Sequence, residues 1–331
     1  MHKVVLVFLL MMTTGLIFSQ SGERSLSTVK EEYFEKRKSF QSNSTKKFTT
    51  DQQAQLDALV TELKTLDPNS FEYNLVVYVN GNYNTNLQSS LFTAYELNSA
   101  DETVLKEMAG FYSVTFNTAK QKEYLLKIKK YYTASELAYY KDAMPGVKSL
   151  LITSGQEDMF GFLLAQIIEG VGSEVQVICL DMMKNDEYRE MVSNNCGITD
   201  LSFLGNEKNY IKTMLTGGTK KIYISATVPQ DYFSACADKL YITGLVYQYG
   251  NIDQLTALND FWKKVKAKDL NQISLSGSAE KKLYGNYLPA LITLYMLTPG
   301  DQVLKTTIQA IAEKVSKTEE VDEILKEIEA N

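Results

Sequence analysis

From Val147 to Tyr249 short apolar runs alternate with helical segments, and that alternation limits the chain to few folds. The runs "VKSLLITS", "EVQVICLDMM", "KKIYISATV" and "LYITGLVYQY" are separated or flanked by helical patterns over 158–170, 186–193, 207–216 and 230–239. They lack strict polar–apolar alternation, so they describe strands buried on both faces, the kind that forms a mainly parallel sheet flanked by helices. Right-handed crossovers place the helices on both sides of such a sheet. Beyond it the spacing predicts helices over "DQLTALNDFWKKVKA" and "SAEKKLYGNYLPALITLYML", the second kinked at Pro289, and a Lys/Glu-rich helix from Asp301 to Glu329.

Ahead of Met144-Pro145-Gly146 the pattern is helical. Leu56, Leu59, Val60 and Leu63 recur at three- and four-residue spacing behind a candidate N-cap at Asp51. Pro68, with Asn69 or Ser70, then ends one helix and caps the next. An offset of 33 residues pairs Tyr78 with Phe111, Tyr83 with Phe116, Asn84 with Asn117, Phe92 with Leu125 and Tyr95 with Ile128. Two-helix units of about this length are the tetratricopeptide style of packing, which offers peptides a concave groove. The tyrosines of this region read first as packing residues. The expected fold class is therefore α/β, with a mainly parallel sheet preceded by an all-α, tetratricopeptide-like module.

Residues 1–20 have a positive start at Lys3, an apolar run and a small residue at Ser19, which reads as a secretory signal peptide, with an uncleaved anchor as the alternative. Residues 21–49 are polar and Lys/Ser-rich, and predict a flexible leader holding one short helix around Val29 to Phe40. The remaining units are a helical domain over 50–146, an α/β domain over 147–300 and a terminal helix within 301–331.

The sole histidine, His2, lies in the signal segment. Its removal excludes Ser-His-Asp and Cys-His nucleophiles and nearly all catalytic zinc sites, so no metal or cofactor is expected. The net charge of −6 and the scarcity of arginine (Arg24, Arg37 and Arg189) argue against nucleic acid and anionic membrane surfaces. Cys179, Cys196 and Cys236 allow one disulfide and one free thiol, and Cys179, inside "VQVICL", reads as a buried hydrophobe.

In open α/β sheets ligands sit beyond the carboxyl ends of the strands, against helix N-termini. The candidate binding residues are therefore Ser154, Gly155, Gln156, Glu157 and Asp158 after the first strand, Asp181 after the second, and Thr227, with Pro229, after the third. The same turn can also be a corner: Gly155 permits a tight bend, and Glu157 or Asp158 favours the helix dipole.

The segment "SLLITSGQEDMFGFLLAQIIEGVGSEVQVICLDMMKNDEYREMV", followed by "KKIYISATVP", "LYITGLVYQY" and "LNDFWKKV", keeps the order of five segments of a known family. It resembles the soluble C-terminal part of a domain-of-unknown-function family of multi-pass bacterial membrane proteins, typical of Bacteroidota, that are similar to protein O-mannosyltransferases. That family's turn reads Asn-Gly-Asp-Asn-Asp-Thr; this chain keeps Gly155 and Asp158 but carries Gln156, Glu157 and Met159. The family's membrane half has no counterpart in these residues, so the resemblance implies a fold and an envelope setting and carries no activity.

The expected function is that of an exported, non-catalytic binding or scaffold protein, periplasmic or otherwise outside the cytoplasm. Its expected partner is an envelope protein or glycan, with no nucleic acid and no integral span after signal cleavage. The alternative is a carbohydrate-active enzyme or sugar-binding protein that uses the carboxylates Glu157, Asp158 and Asp181.

Overall fold

The computed structural model describes residues 24–40, 48–198, 207–218, 220–268, 270, 273–275 and 277–330, with backbone alone at 207–209. The expected signal segment, residues 1–20, lies outside them.

Among the described residues seven α-helices precede the sheet: α1 Leu26–Phe40, α2 Thr50–Leu66, α3 Phe71–Asn80, α4 Gln88–Leu97, α5 Glu102–Val114, α6 Thr118–Ile128 and α7 Ala134–Ala143. Side-chain caps at Thr49, Ser70, Asp101, Asn117 and Thr133 accept backbone N–H groups and so fix where α2, α3, α5, α6 and α7 start. The cap of α2 is Thr49, which forms a capping box with Gln52, and Asp51 falls in the first turn. The 33-residue offset has a backbone counterpart. Tyr83 and Phe116 both adopt a positive φ, 65° and 58°, after α3 and α5. The asparagine that follows each caps the next turn, Asn84 toward Asn86 N–H and Asn117 toward Lys120 N–H. Tyr78 and Phe111 meet edge to face at 6.5 Å.

The leader expected over 21–49 is, across its described residues 24–40, an ordered helix rather than a tether. Val29 and Tyr33 of α1 are fully buried against α2 and α3, and Tyr33 donates to Asn80 Oδ1 at 3.2 Å. Mean polarity hides this stripe: Leu26, Val29 and Tyr33 recur at helical spacing, and a narrow apolar face is enough to dock on an existing core.

The sheet contains β1 Ser149–Thr153, β2 Val175–Cys179, β3 Ile222–Ser225, β4 Leu240–Ile242 and β5 Val246–Tyr249, in the order β2-β1-β3-β5-β4. β1 is parallel to β2 and β3, whereas β5 runs antiparallel to both β3 and β4, so the sheet is mixed rather than mainly parallel. The difference arises in "LYITGLVYQY", which is a hairpin and not one strand. Thr243 N–H donates to Val246 O across a two-residue loop, where Gly244 takes a φ of 140°. Between β1 and β2 lies α8 Gln156–Glu169, closed by Gly170 in the left-handed conformation at φ 66°. α9 Asp186–Cys196 and α10 Glu207–Gly217 link β2 to β3.

The remaining predicted helices differ in detail. Residues 230–239 form two short 3-10 turns, Gln230–Tyr232 and Ser234–Lys239. After α11 Gln254–Ala267, the predicted kinked helix is two helices, α12 Ser278–Gly285 and α13 Tyr287–Leu297. The break falls at Asn286, and Pro289 sits in the first turn of α13, where no intrahelical donor is lost. The terminal helix is also two, α14 Gln302–Lys314 and α15 Thr318–Ala330, with Ser316 between them at φ 61°.

The two faces of the sheet organise the core. Leu150 and Ile152 pack with Tyr78, Leu105, Phe111 and Leu125 from α3, α5 and α6, and with residues of α9 and α10. Leu151 and Tyr223 pack on the other side with α7 and α11 through α15. The helical and α/β segments thus share a core across the expected boundary at 146/147. All three cysteines are free and buried, which overturns the option of a disulfide. No helix of the described residues is long and apolar enough to cross a membrane.

Deleting the buried ring in Tyr33→Ala should cost about 3 kcal/mol, as large-to-small core changes do, read from denaturant unfolding. A change near zero would restore the view of this segment as a tether.

Candidate functional site

The chain leaves β1 through α8 to β2 on one side, then passes through α9 and α10 to β3 on the other side of β1. This reversal opens a crevice above the carboxyl ends of β1 and β3, the position where open α/β sheets hold ligands. A cleft of about 1230 Å³ occupies it. Its floor is made by Ser154, Gly155, Gln156, Glu157 and Asp158 after β1, Asp181 after β2, and Thr227 and Pro229 after β3. The structure therefore places the candidate binding residues along one cavity, though in different roles.

Asp158, in the first turn of α8, is only 7% exposed. Its Oδ2 accepts from Ser154 N–H at 3.3 Å and from the Thr227 hydroxyl at 2.5 Å, and Thr227 is in turn 2.8 Å from the Ser225 hydroxyl. One carboxylate thus bridges the β1 turn to the end of β3. Its Oδ1 is buried with no hydrogen-bond partner. Burial pushes the Asp158 carboxyl from 3.8 up to about 6, against the lowering effect of the Thr227, Ser154 and Ser225 hydrogen bonds and of the Lys282 charge.

The neighbouring candidates are struts. Glu157 is paired with Lys106 of α5 at 2.7 Å, and the Tyr132 hydroxyl donates to both its carboxylate and its backbone oxygen. Gln156 Nε2 donates to Lys106 O at 2.9 Å. Asp181 is paired with Lys184 at 3.3 Å, and its N–H donates to Ser154 O. Gly155 has an extended backbone, so its small size serves close approach rather than a bend: a Cβ there would lie 3.2 Å from Asp181 Oδ2. Glu157 and Asp181 are thus each paired with a lysine.

The opposite wall comes from the helical segment, and sequence reasoning missed it. Glu107 of α5 lines the cleft, and burial pushes its carboxyl from 4.5 up to about 7, because Glu157 and Asp181 add to that push while Arg37 and Lys106 only partly oppose it. Arg37 of α1, Tyr83 after α3, and Tyr131, Tyr132 and Tyr140 complete the wall. The one local signal was the charged pair Lys106-Glu107 inside the otherwise apolar "VLKEMAGF". Among the described residues no group of three or more His, Cys, Asp or Glu side chains is placed to hold a metal ion.

The raised carboxyls have a stability consequence with a definite sign. The unfolded Asp158 ionises near 3.8 and the folded one near 6, so the native state binds more protons in between and stability falls as pH rises through that window. At about 1.4 kcal/mol per pKa unit, Asp158→Asn should gain up to about 3 kcal/mol relative to the parent between pH 4 and pH 7.5, measured by urea midpoints. An unchanged difference between the two pH values would contradict the burial of this charge. No protein-family model matches the chain, and no curated protein or solved structure matches it either, so the chemistry of the cleft bears the whole weight of what it holds.

Proposed function

We propose that this chain is an exported, non-catalytic binding protein of a bacterial cell envelope, and that its cleft takes a polyhydroxylated ligand, a glycan. The observation that carries the reading is the buried Asp158 carboxylate, fixed through Oδ2 and left with an acceptor lacking a donor at Oδ1. A buried acceptor without a donor costs roughly 1–3 kcal/mol, and a ligand hydroxyl placed there removes that cost. The tyrosines of the wall add amphipathic rings whose faces suit the apolar faces of sugar rings. At about 1230 Å³ the cleft exceeds the range of roughly 300–1,000 Å³ that suits drug-sized ligands, and so has room for an extended one.

The positive start and apolar run of residues 1–20 support export, and the resemblance of residues 148 to about 295 supports the envelope setting. We read α3–α4 and α5–α6 as two degenerate units of the tetratricopeptide type, on the strength of the Tyr83/Phe116 and Asn84/Asn117 equivalence. Tyr78, Phe111 and Leu125 of these helices pack into the core shared with the sheet, which favours the cleft over a helical groove as the binding surface.

A second reading has its own observation. Asp158 and Glu107 line one cleft with carboxyls raised to about 6 and about 7, the range in which a carboxyl can serve as a general acid. Turnover of an oligosaccharide, abolished in both Asp158→Asn and Glu107→Gln, would establish an enzyme in place of the binding protein.

The test of binding is a thermal-shift screen of residues 21–331, the chain without its expected signal segment, against neutral and charged oligosaccharides. A ligand at 100 times its Kd stabilises by about 2.7 kcal/mol, enough to raise the midpoint by several degrees. Asp158→Asn should abolish that rise while remaining folded. A rise that persists in the variant would place the ligand elsewhere, and no rise with any saccharide would reject the glycan reading.

A further inference from the structure

Arg37 stands apart from the other two arginines. Arg24 is paired with Glu32 and Glu62, and Arg189 with Asp186. Arg37 makes no ion pair among the described residues. Its Nη2 donates to Asn82 Oδ1 at 2.8 Å and its guanidinium lies over the Phe48 ring, 5.0 Å from the centroid. These two contacts, with the Tyr33 hydroxyl beside the guanidinium, hold the group in place on the cleft wall, and its Nη1 is left buried without an acceptor. Burial pushes the carboxyl of Glu107, which feels the Arg37 charge, up to about 7, so it is only partly ionised at neutral pH and offsets that charge only in part.

Two residues of the cleft lining thus carry complementary unpartnered atoms, a buried donor at Arg37 Nη1 and a buried acceptor at Asp158 Oδ1. Resting on the glycan reading above, we propose that the ligand is an acidic saccharide whose carboxylate accepts from Arg37 Nη1 while a ring hydroxyl donates to Asp158 Oδ1. Hydrogen bonds to charged groups contribute roughly 1.5–3 kcal/mol each, so one molecule with both groups gains at both ends.

A carboxylate fits better than a phosphate. Glu157, Asp158 and Asp181 line the same cavity and repel a dianion more than a monoanion. A free amino acid would also offer a carboxylate and a donor, but it leaves most of the cavity and the faces of Tyr83, Tyr131 and Tyr132 unused.

The experiment is isothermal titration of the chain without its expected signal segment, residues 21–331, with trigalacturonate, its methyl ester, maltotriose, glucose 1-phosphate and trialanine. Trigalacturonate should bind at least tenfold more tightly than its methyl ester or maltotriose. Arg37→Gln should erase that preference, so that the acid and its ester bind alike, while Arg37→Lys retains part of it. Should Arg37→Gln fail to fold, the ester comparison on the parent chain decides alone. Equal binding of the acid and its ester, tighter binding of glucose 1-phosphate or trialanine, or a preference that survives in folded Arg37→Gln overturns the acidic-sugar assignment and leaves the cleft as a ligand site. Failure of all the saccharides to bind overturns the glycan reading as well.

Discussion

The bridge from Asp158 to Ser154 N–H and the Thr227 hydroxyl is the contact on which the architecture of the cleft depends. It ties the first turn of α8 to the end of β3 at the point where the strand order reverses, and so spans the crevice that the topology opens. A hydroxyl pair could have made the same bridge without burying a charge. The chain instead keeps an ionisable group 7% exposed, at a cost in stability that grows with pH, and perturbed carboxyls of that kind concentrate at functional sites.

The rest of the site is built to hold that group still. Lys106 reaches from α5 to both Glu102 and Glu157, Gln156 reaches back to the carbonyl of Lys106, and the Tyr132 hydroxyl closes on Glu157. These contacts fasten the helical wall to the sheet floor, and the core beneath is continuous from Leu105 and Phe111 to Leu150 and Ile152. The cleft is consequently lined by residues on or beside helices and strand ends rather than on long loops, the arrangement that positions side chains most accurately.

The floor of the cleft was legible because it follows from local grammar. An apolar run ending in Ser154-Gly155 and followed by Glu157 and Asp158 marks a strand giving way to a helix, and Asp181 and Thr227 stand at the ends of the other two parallel strands. Which of these acids stays unpaired was not legible, because Lys106 meets Glu157 only through folding over some fifty positions of chain. Arg37 was hidden further still: it sits in a segment whose polar composition masks the stripe of Leu26, Val29 and Tyr33 that docks it. The antiparallel half of the sheet escaped because Thr243-Gly244-Leu245 interrupts an apolar run with a single glycine, a weak turn signal between residues of strong strand preference.

The most direct test is the ionisation of Asp158 itself, followed by carboxyl-carbon NMR across pH 3 to 8, with its resonance assigned by loss in Asp158→Asn. The structure predicts a midpoint of about 6, well above the ordinary 3.8. A midpoint at or below 3.8 would mean that water or a cation reaches the carboxylate freely, and would contradict the dry, half-satisfied site on which the binding role rests.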